Sequence, residues 1–341
     1  MIRLPRFTYV AARSIAEAVD HLAASPSETM LLAGGTDLVP NMKRRQQVPR
    51  VVVGLRGVPE LRGLDASGAL TLGTTTTLTE IVANDQVRAA CPGLWQAALQ
   101  VATPHLRNMA TLGGNLCLDT RCTYYDQSQE WRQAINYCMK KDGDTCWVAT
   151  SSPKCLAVSS TDTAPMLQAL GASVRLASTR GLRTIDVADL FANDGMHYLT
   201  RQPDEILTDV IVPDQRGWRS AYWKLRRRGS FDFPVASAAV AARIGADHVV
   251  QDVRLVLGAV ASRPLAIPRV TDLLTGHVLT DERIAEAADA AFPLAKPMDN
   301  TDYELVWRKK MIKPLVTYAL RDLRGDDTRE LRRRIARQLL A

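Results

Sequence analysis

No apolar run in this 341-residue chain approaches the about eighteen residues of a membrane-crossing helix, so no membrane span is expected. The opening MIRLPRFTYV lacks the apolar core of a secretory signal, and a cytoplasmic location is the expectation. No Gly-Lys pair occurs, which removes the Walker A loop, and no G-x-G-x-x-G occurs, which removes the nicotinamide fingerprint. Aromatic residues are only 6%, and no basic-aromatic interleaving or known motif supports nucleic-acid binding despite the formal net charge of +7. Low-complexity segments and repeats of solenoid period are also absent. What remains is an ordinary globular composition, with 46% hydrophobic and 23% charged residues. A chain of this length can bury a large core in two or three domains.

The positive charge is uneven. From Thr301 to Ala341 there are eleven Lys or Arg against six Asp or Glu. Leu331, Ile335 and Leu339 recur there at helical spacing, which predicts a terminal helix with arginines on its outer face. That helix is assigned to 326–341.

Hydrophobic patterning sets out the rest. Ser14-Ile-Ala-Glu17 reads as a capping box before a short amphipathic helix carrying Ile15, Ala18, Val19 and Leu22. TMLLAGG and RVVVGL read as strands. ALTLGTTTTLTEI reads as a strand running into a helix, with Thr77 and Glu80 as a second capping box. PGLWQAALQVAT reads as helix. TAPMLQALGASVRLAS and EILTDVIVP read as alternating segments. A new unit begins after Pro213, with strands in WRSAYWKLRRRGSFDFPVASAAVAARI and VVQDVRLVLGAVASRPL and helices after them. The expected fold class is α+β. It comprises a first domain over 1–215, with subdomains of roughly 1–55 and 56–215, and a smaller α/β domain over 216–325.

Two glycine bends share a form: Ala33-Gly34-Gly35-Thr36-Asp37 and Thr111-Leu112-Gly113-Gly114-Asn115. Each follows a β-type run and ends in small polar residues. Free backbone N–H groups at such bends make a concave anion site, and two bends together are able to hold a pyrophosphate. Either alone is also an ordinary tight turn.

Four of the six cysteines fall between Cys122 and Cys155. A reducing compartment disfavours disulfides. Gaps of fifteen, seven and eight residues between Cys122, Cys138, Cys146 and Cys155 match neither C-x2-C zinc pairs nor the tight ferredoxin run. Zinc, an iron–sulfur cluster and packed free thiols remain open on spacing alone. The surrounding segment, about 117–160, has poor periodicity and balanced charge, so it reads as an insertion held by something other than an apolar core. Cys117 and Cys91 read as buried structural residues. Lys140, Lys141 and Lys154 read as solvated.

The order LLAGGTDLVPNMK, TLGGNLCLDT, STDTAPMLQALGA, EILTDVIVP and YWKLRRRGSFDFPVASAAVA resembles the FAD-binding subunit of the molybdenum hydroxylase (xanthine dehydrogenase) family over nearly the whole chain. The resemblance implies a two-part FAD-binding domain of the vanillyl-alcohol-oxidase type and a smaller domain after it. It implies FAD contacts from Leu31, Leu32, Ala33, Gly34, Gly35, Thr36, Asp37 and Leu38, and from Thr111, Leu112, Gly113, Gly114 and Asn115. It further implies contacts from Val101, Asp162, Ile206 and Lys224. Taken as residues alone, Asp162 also reads as a helix cap, Lys224 as a surface lysine, and His105 as a structural residue beside the second bend.

The insertion is similar to that of one branch of the family, the flavin subunit of 4-hydroxybenzoyl-CoA reductase. This resemblance implies that Cys122, Cys138, Cys146 and Cys155 ligate a [4Fe-4S] cluster, with Tyr124, Tyr125, Trp131, Tyr137 and Trp147 screening it from water. It implies an electron-transfer subunit of an oxidoreductase, with no catalytic residue of its own. The implied partners are a molybdopterin-binding large subunit and a [2Fe-2S] small subunit in a dimer of heterotrimers, with a ferredoxin-like electron donor. A flavin subunit of an oxidising molybdenum dehydrogenase for another aromatic or heterocycle is an alternative. A redox-sensing or assembly protein of the same fold is another.

Overall fold

Three sheets follow one another along the chain, whose computed structural model describes residues 3–229 and 231–336. The first is parallel: β1 (Thr8–Ala11), β2 (Thr29–Leu32) and β3 (Val51–Gly54), in the order β1-β3-β2. Parallel strands need crossovers: the helix Ile15–Ala24 carries the chain from β1 to β2, on the far side of β3, and buries Ala18, Val19 and Leu22 against Val53 and Leu55, while the helix Leu38–Lys43 lies between β2 and its neighbour β3. Only half of the capping box at its start forms. Ser14 Oγ accepts from Glu17 N–H at 3.1 Å, but the Glu17 carboxylate accepts from Arg13 N–H at 2.8 Å, one residue before the cap. Thr77 and Glu80 form the complete reciprocal box.

The second sheet is antiparallel. It contains β4 (Leu64–Asp65), β5 (Leu70–Gly73), β6 (Ser173–Ser178), β7 (Gly181–Asp186) and β8 (Ile206–Val212), in the order β4-β5-β8-β6-β7. Between β5 and β6 the chain makes a series of short helices and the cysteine-rich insertion. TAPMLQALGASVRLAS is not uniformly alternating: Thr163–Ala169 is a helix and β6 follows. Six of its seven residues are buried, so no polar face marks the helical period in the sequence.

The third sheet is β9 (Trp218–Leu225), β10 (Ala236–Ile244), β11 (Val250–Gly258) and β12 (Leu265–Ala266), antiparallel in the order β12-β11-β10-β9. Both faces of β10 are covered. Ala238, Val240 and Ala242 join the core made with the helices Pro268–Leu274, Asp281–Ala291 and Ile312–Arg324. Ala239 and Ala241 join the core of the preceding unit, beside Leu94, Ala97 and Met166. The small side chains of ASAAVAA let helices approach from both sides.

The helix Arg329–Ala336 buries Ile335 and half-buries Leu331, while Arg333 and Arg334 are exposed, as the periodicity predicts. Leu339 lies outside the described residues. Among the described residues no helix is long and apolar enough to cross a membrane.

Candidate cofactor sites

The turn after β2 is packed directly on the segment that precedes the second glycine motif. A Cβ on Gly34 would stand 1.9 Å from the Met109 carbonyl oxygen, so only glycine permits this approach. Gly35 follows with φ 74°, a left-handed conformation that turns the chain into the helix Leu38–Lys43. Among the described residues, no protein acceptor takes the N–H groups of Gly34, Gly35, Thr36 and Asp37. They border a cavity of about 620 Å³, within the range of cofactor sites.

The second motif differs from expectation. Thr111 caps a short helix, Leu112–Leu116, so TLGGN is a helix start and not a second open bend. The N–H groups after Thr111 are already used: Leu112 N donates to Thr76 O at 3.0 Å, Gly113 N to Thr74 O at 2.9 Å, Gly114 N to Thr111 Oγ1 at 3.1 Å and Asn115 N to Thr111 O at 2.9 Å. Asn115 Oδ1 accepts from Thr161 Oγ1, Thr163 N and Thr163 Oγ1 at 2.7–3.1 Å. Its Nδ2 is left as the donor at the cavity. The run of backbone N–H groups left without acceptors at the cavity is thus in the first loop, and the second motif brings side chains to it.

Fifteen of the seventeen FAD candidates named from the sequence line this cavity: Leu31 through Leu38, Val101, Thr111, Gly113, Gly114, Asn115, Asp162 and Ile206. Leu112 and Lys224 do not. Leu112 is core. Lys224 is no surface lysine. Its side chain is fully buried, and Nζ donates to Asp162 Oδ2 at 2.9 Å and to Gln100 O at 3.0 Å. Asp162 also accepts from Tyr222 Oη at 2.7 Å; it stands at the N-cap position of the helix Thr163–Ala169 but makes no side-chain cap bond, its carboxylate being turned to Lys224 and Tyr222 instead. Burial pushes Asp162 up from the usual carboxylate range and Lys224 down from the lysine range, and each opposes the other's shift. His105 is exposed and does not line the cavity.

Sequence reasoning missed several lining residues. Ser160 Oγ is buried there without a hydrogen-bond partner among the described residues. Arg121 pairs with Asp37, whose carboxyl burial pushes up against the opposing effect of that guanidinium. Phe231, Phe233 and Arg228 come from the loop between β9 and β10. That RRRGSFDF loop carried a sequence signal, because its arginines and phenylalanines interrupt two strand patterns.

The insertion leaves and re-enters through an antiparallel bridge: Arg121 N donates to Val158 O at 2.8 Å and Val158 N to Arg121 O at 2.7 Å. Beyond it, Cys122, Cys138, Cys146 and Cys155, all buried, line one small cavity. Tyr124, Tyr125 and Trp147 line it too. Trp131 and Tyr137 do not, and Trp131 stands 39% exposed, so the expected screen is only partly made. Burial pushes the Cys122 thiol up to about 12 and that of Cys155 up to about 11. Neighbouring cysteines add to both shifts. Among the described residues, no three His, Cys, Asp or Glu side chains are grouped so as to hold a single metal ion. The four cysteines instead line one void of about 10 Å³. Cys117 lines the large cavity and Cys91 is core. Lys140 is not solvated: its side chain is 6% exposed and paired with Asp119.

A loop of free amides on a sheet edge, a dinucleotide-sized cavity and a sheet-and-helix domain behind it define a cofactor-binding chain of mixed α and β type. More particularly, the chain belongs to the FAD-binding-domain family of molybdopterin dehydrogenases, whose model matches residues 5–215. The CO dehydrogenase flavoprotein C-terminal domain matches 220–323. The chain is similar to the nicotine 6-hydroxylase medium subunit of Paenarthrobacter nicotinovorans, at 29% identity over 92% of this chain and 96% of the relative. It is also similar to the carbon monoxide dehydrogenase medium chain of Hydrogenophaga pseudoflava, at 28% identity over 91% and 95%. A solved structure of carbon monoxide dehydrogenase from Hydrogenophaga pseudoflava, lacking the Mo-pyranopterin moiety, superposes with a TM-score of 0.77. That match has 26% identity and covers 94% of this chain and 98% of the other.

Proposed function

We propose that this chain is a flavin and iron–sulfur electron-transfer subunit of a molybdenum hydroxylase-type complex. The observation that carries the iron–sulfur part is the ring of Cys122, Cys138, Cys146 and Cys155 around one small cavity. A [4Fe-4S] cluster takes one thiolate at each of its irons, so its ligands surround a volume and do not converge on a point. Four cysteines lining one cavity supply that number of thiols. Bound FAD would supply one- or two-electron transfer, and a bound cluster one-electron transfer.

The residues divide the work. Gly34, Gly35, Thr36 and Asp37 offer backbone N–H groups for a pyrophosphate, each charge-assisted bond contributing about 1.5–3 kcal/mol. Asn115 and Ser160, which also line the cavity, offer further polar contacts through Nδ2 and Oγ. Leu31, Leu32, Leu38, Val101 and Ile206 exclude water beside them. Lys224 holds the Asp162 carboxylate in place at the cavity wall from behind. In this reading the FAD-binding domain, of the vanillyl-alcohol-oxidase type, ends near residue 215, and the cluster-bearing insertion occupies about 117–160.

The insertion's likeness to the 4-hydroxybenzoyl-CoA reductase branch supports reductive removal of a phenolic hydroxyl on a molybdopterin-binding large subunit. Electrons would reach that subunit from a ferredoxin-type donor through this chain and a [2Fe-2S] small subunit. A second reading, an oxidising dehydrogenase, is favoured by relatives named as a hydroxylase and a dehydrogenase.

Anaerobic isolation with quantitation of FAD, iron and acid-labile sulfide tests the proposal. FAD with about four irons per chain supports it, and zinc or no metal overturns the cluster. Assay of the complex with aryl-CoA thioesters and a low-potential reductant separates the two readings, since turnover of another aromatic with an oxidant favours the second.

A further inference from the structure

The two cavities share a wall. Lys140 and Tyr125 face the four cysteines, and Asp119 and Tyr198 face the large cavity. Hydrogen bonds tie the wall together. Lys140 Nζ donates to Asp119 Oδ1 at 2.8 Å, to Thr120 Oγ1 at 2.7 Å and to Gly195 O at 2.6 Å. Tyr125 Oη donates to Asp119 Oδ2 at 2.9 Å, and Gln47 Nε2 reaches the same oxygen at 3.3 Å. Asp119 N donates to Asp37 Oδ2 at 3.1 Å, which joins the wall to the first glycine loop. The ammonium also lies 4.9 Å from the Tyr125 ring centroid and 5.2 Å from that of Tyr198.

This is an expensive place for a lysine. The Lys140 and Asp119 side chains are 6% and 5% exposed, and taking two charges out of water often outweighs their mutual attraction. The pair is also directional: Lys140 lines the four-cysteine cavity and its charge acts on Cys155, while Asp119 lines the large cavity. Both ends are shielded from salt, so the field is felt where it points.

We propose that Lys140 is a positioning residue that sets the reduction potential at the four-cysteine site. Its ammonium, fixed by Asp119, offsets the negative charge added among the sulfurs when one electron arrives. Reduction there adds one electron and makes or breaks no bond. Lys140 therefore favours the reduced form, and Asp119, on the far side, partly cancels that effect. This inference rests on the relay reading above.

The two charges predict shifts of opposite sign. The anaerobically purified holoprotein is titrated with dithionite, and the cluster is followed by electron paramagnetic resonance. Lys140→Met is expected to move the potential negative, Asp119→Asn to move it positive, and Lys140→Arg to stay near the parent. No shift in Lys140→Met and Asp119→Asn at full iron content, or shifts of the same sign, overturns the inference and leaves the relay intact. If Lys140→Met loses its iron, Asp119→Asn decides: a positive shift supports the proposal, and any other result overturns it. A parent protein without iron and sulfide overturns the relay reading and this inference with it.

Discussion

Lys224 Nζ lies 2.9 Å from Asp162 Oδ2, and with exposures of 0% and 4% neither side chain can turn to water for its charge. Lys224→Met is therefore expected to destabilise the protein by about 3–5 kcal/mol, because it leaves a buried carboxylate without its counter-charge. Chemical denaturation of the single variant and of Asp162→Asn/Lys224→Met checks this. The double variant should recover part of the loss, and a single variant as stable as the parent would sink the account.

Gly34→Ala brings a methyl group into the Met109 carbonyl, where 1.9 Å is available. Backbone on both sides must yield, at a cost of about 1–3 kcal/mol or more. The free amides of the first loop move with it. FAD affinity measured by fluorescence should fall at least tenfold, while Gly68→Ala, with nothing within 4 Å of its Cβ, should bind as the parent does.

The four-sulfur ring makes cysteine substitutions selective. Cys138→Ser should lose iron and keep most of its FAD, whereas Cys117→Ser, on the other cavity, should keep its iron. Equal iron content in the two variants would remove Cys138 from the ligand set.

Asn300 holds both stems of the insertion: its carbonyl accepts from Thr123 N at 3.0 Å, and its Nδ2 donates to Leu156 O at 2.6 Å. These are the residues next to Cys122 and Cys155. Arg308 steadies it, with Nη1 reaching Asn300 Oδ1 at 3.3 Å. Asn300→Ala should bleach several-fold faster in air without changing FAD content, as followed by the visible spectrum. An unchanged bleaching rate would mean the stems are held by other contacts.

Glu205 titrates below the usual glutamate range because Arg183 donates two hydrogen bonds to it, at 2.6 and 2.8 Å, although burial works the other way. A depressed carboxylate adds stability above its unfolded value of about 4.3, and that stability is lost as pH falls through its lower folded value. Arg183→Gln should therefore narrow the difference in denaturation midpoint between pH 7 and pH 3. The same difference in both proteins would refute the coupling.

Much of the cofactor wall was legible because glycine bends and strand ends leave local marks. Leu31 and Leu32 end a β-type run and the glycine turn follows it, whereas the helix Leu38–Lys43 after that turn was not read from the sequence. Lys224 was misread because its partner lies sixty-two residues away, and in β9, WRSAYWKL, it looks like one polar residue among many. Lys140 was misread for the same reason: Asp119 and Gly195 come from opposite ends of the fold's connections. TLGGN was taken for an open bend, because what uses up its amides is Thr74 and Thr76, carbonyls that no local pattern announces. Packing decides such positions, and packing is not periodic.

The grip of Asn300 on Thr123 and Leu156 also orders events during synthesis. A nascent chain has all four thiols outside the ribosome long before the residue that steadies two of them has been translated. On the relay proposed above, a firm site for iron and sulfide would form only once nearly the whole polypeptide has emerged, and a prematurely terminated product would carry the four cysteines without the residue that ties their stems together.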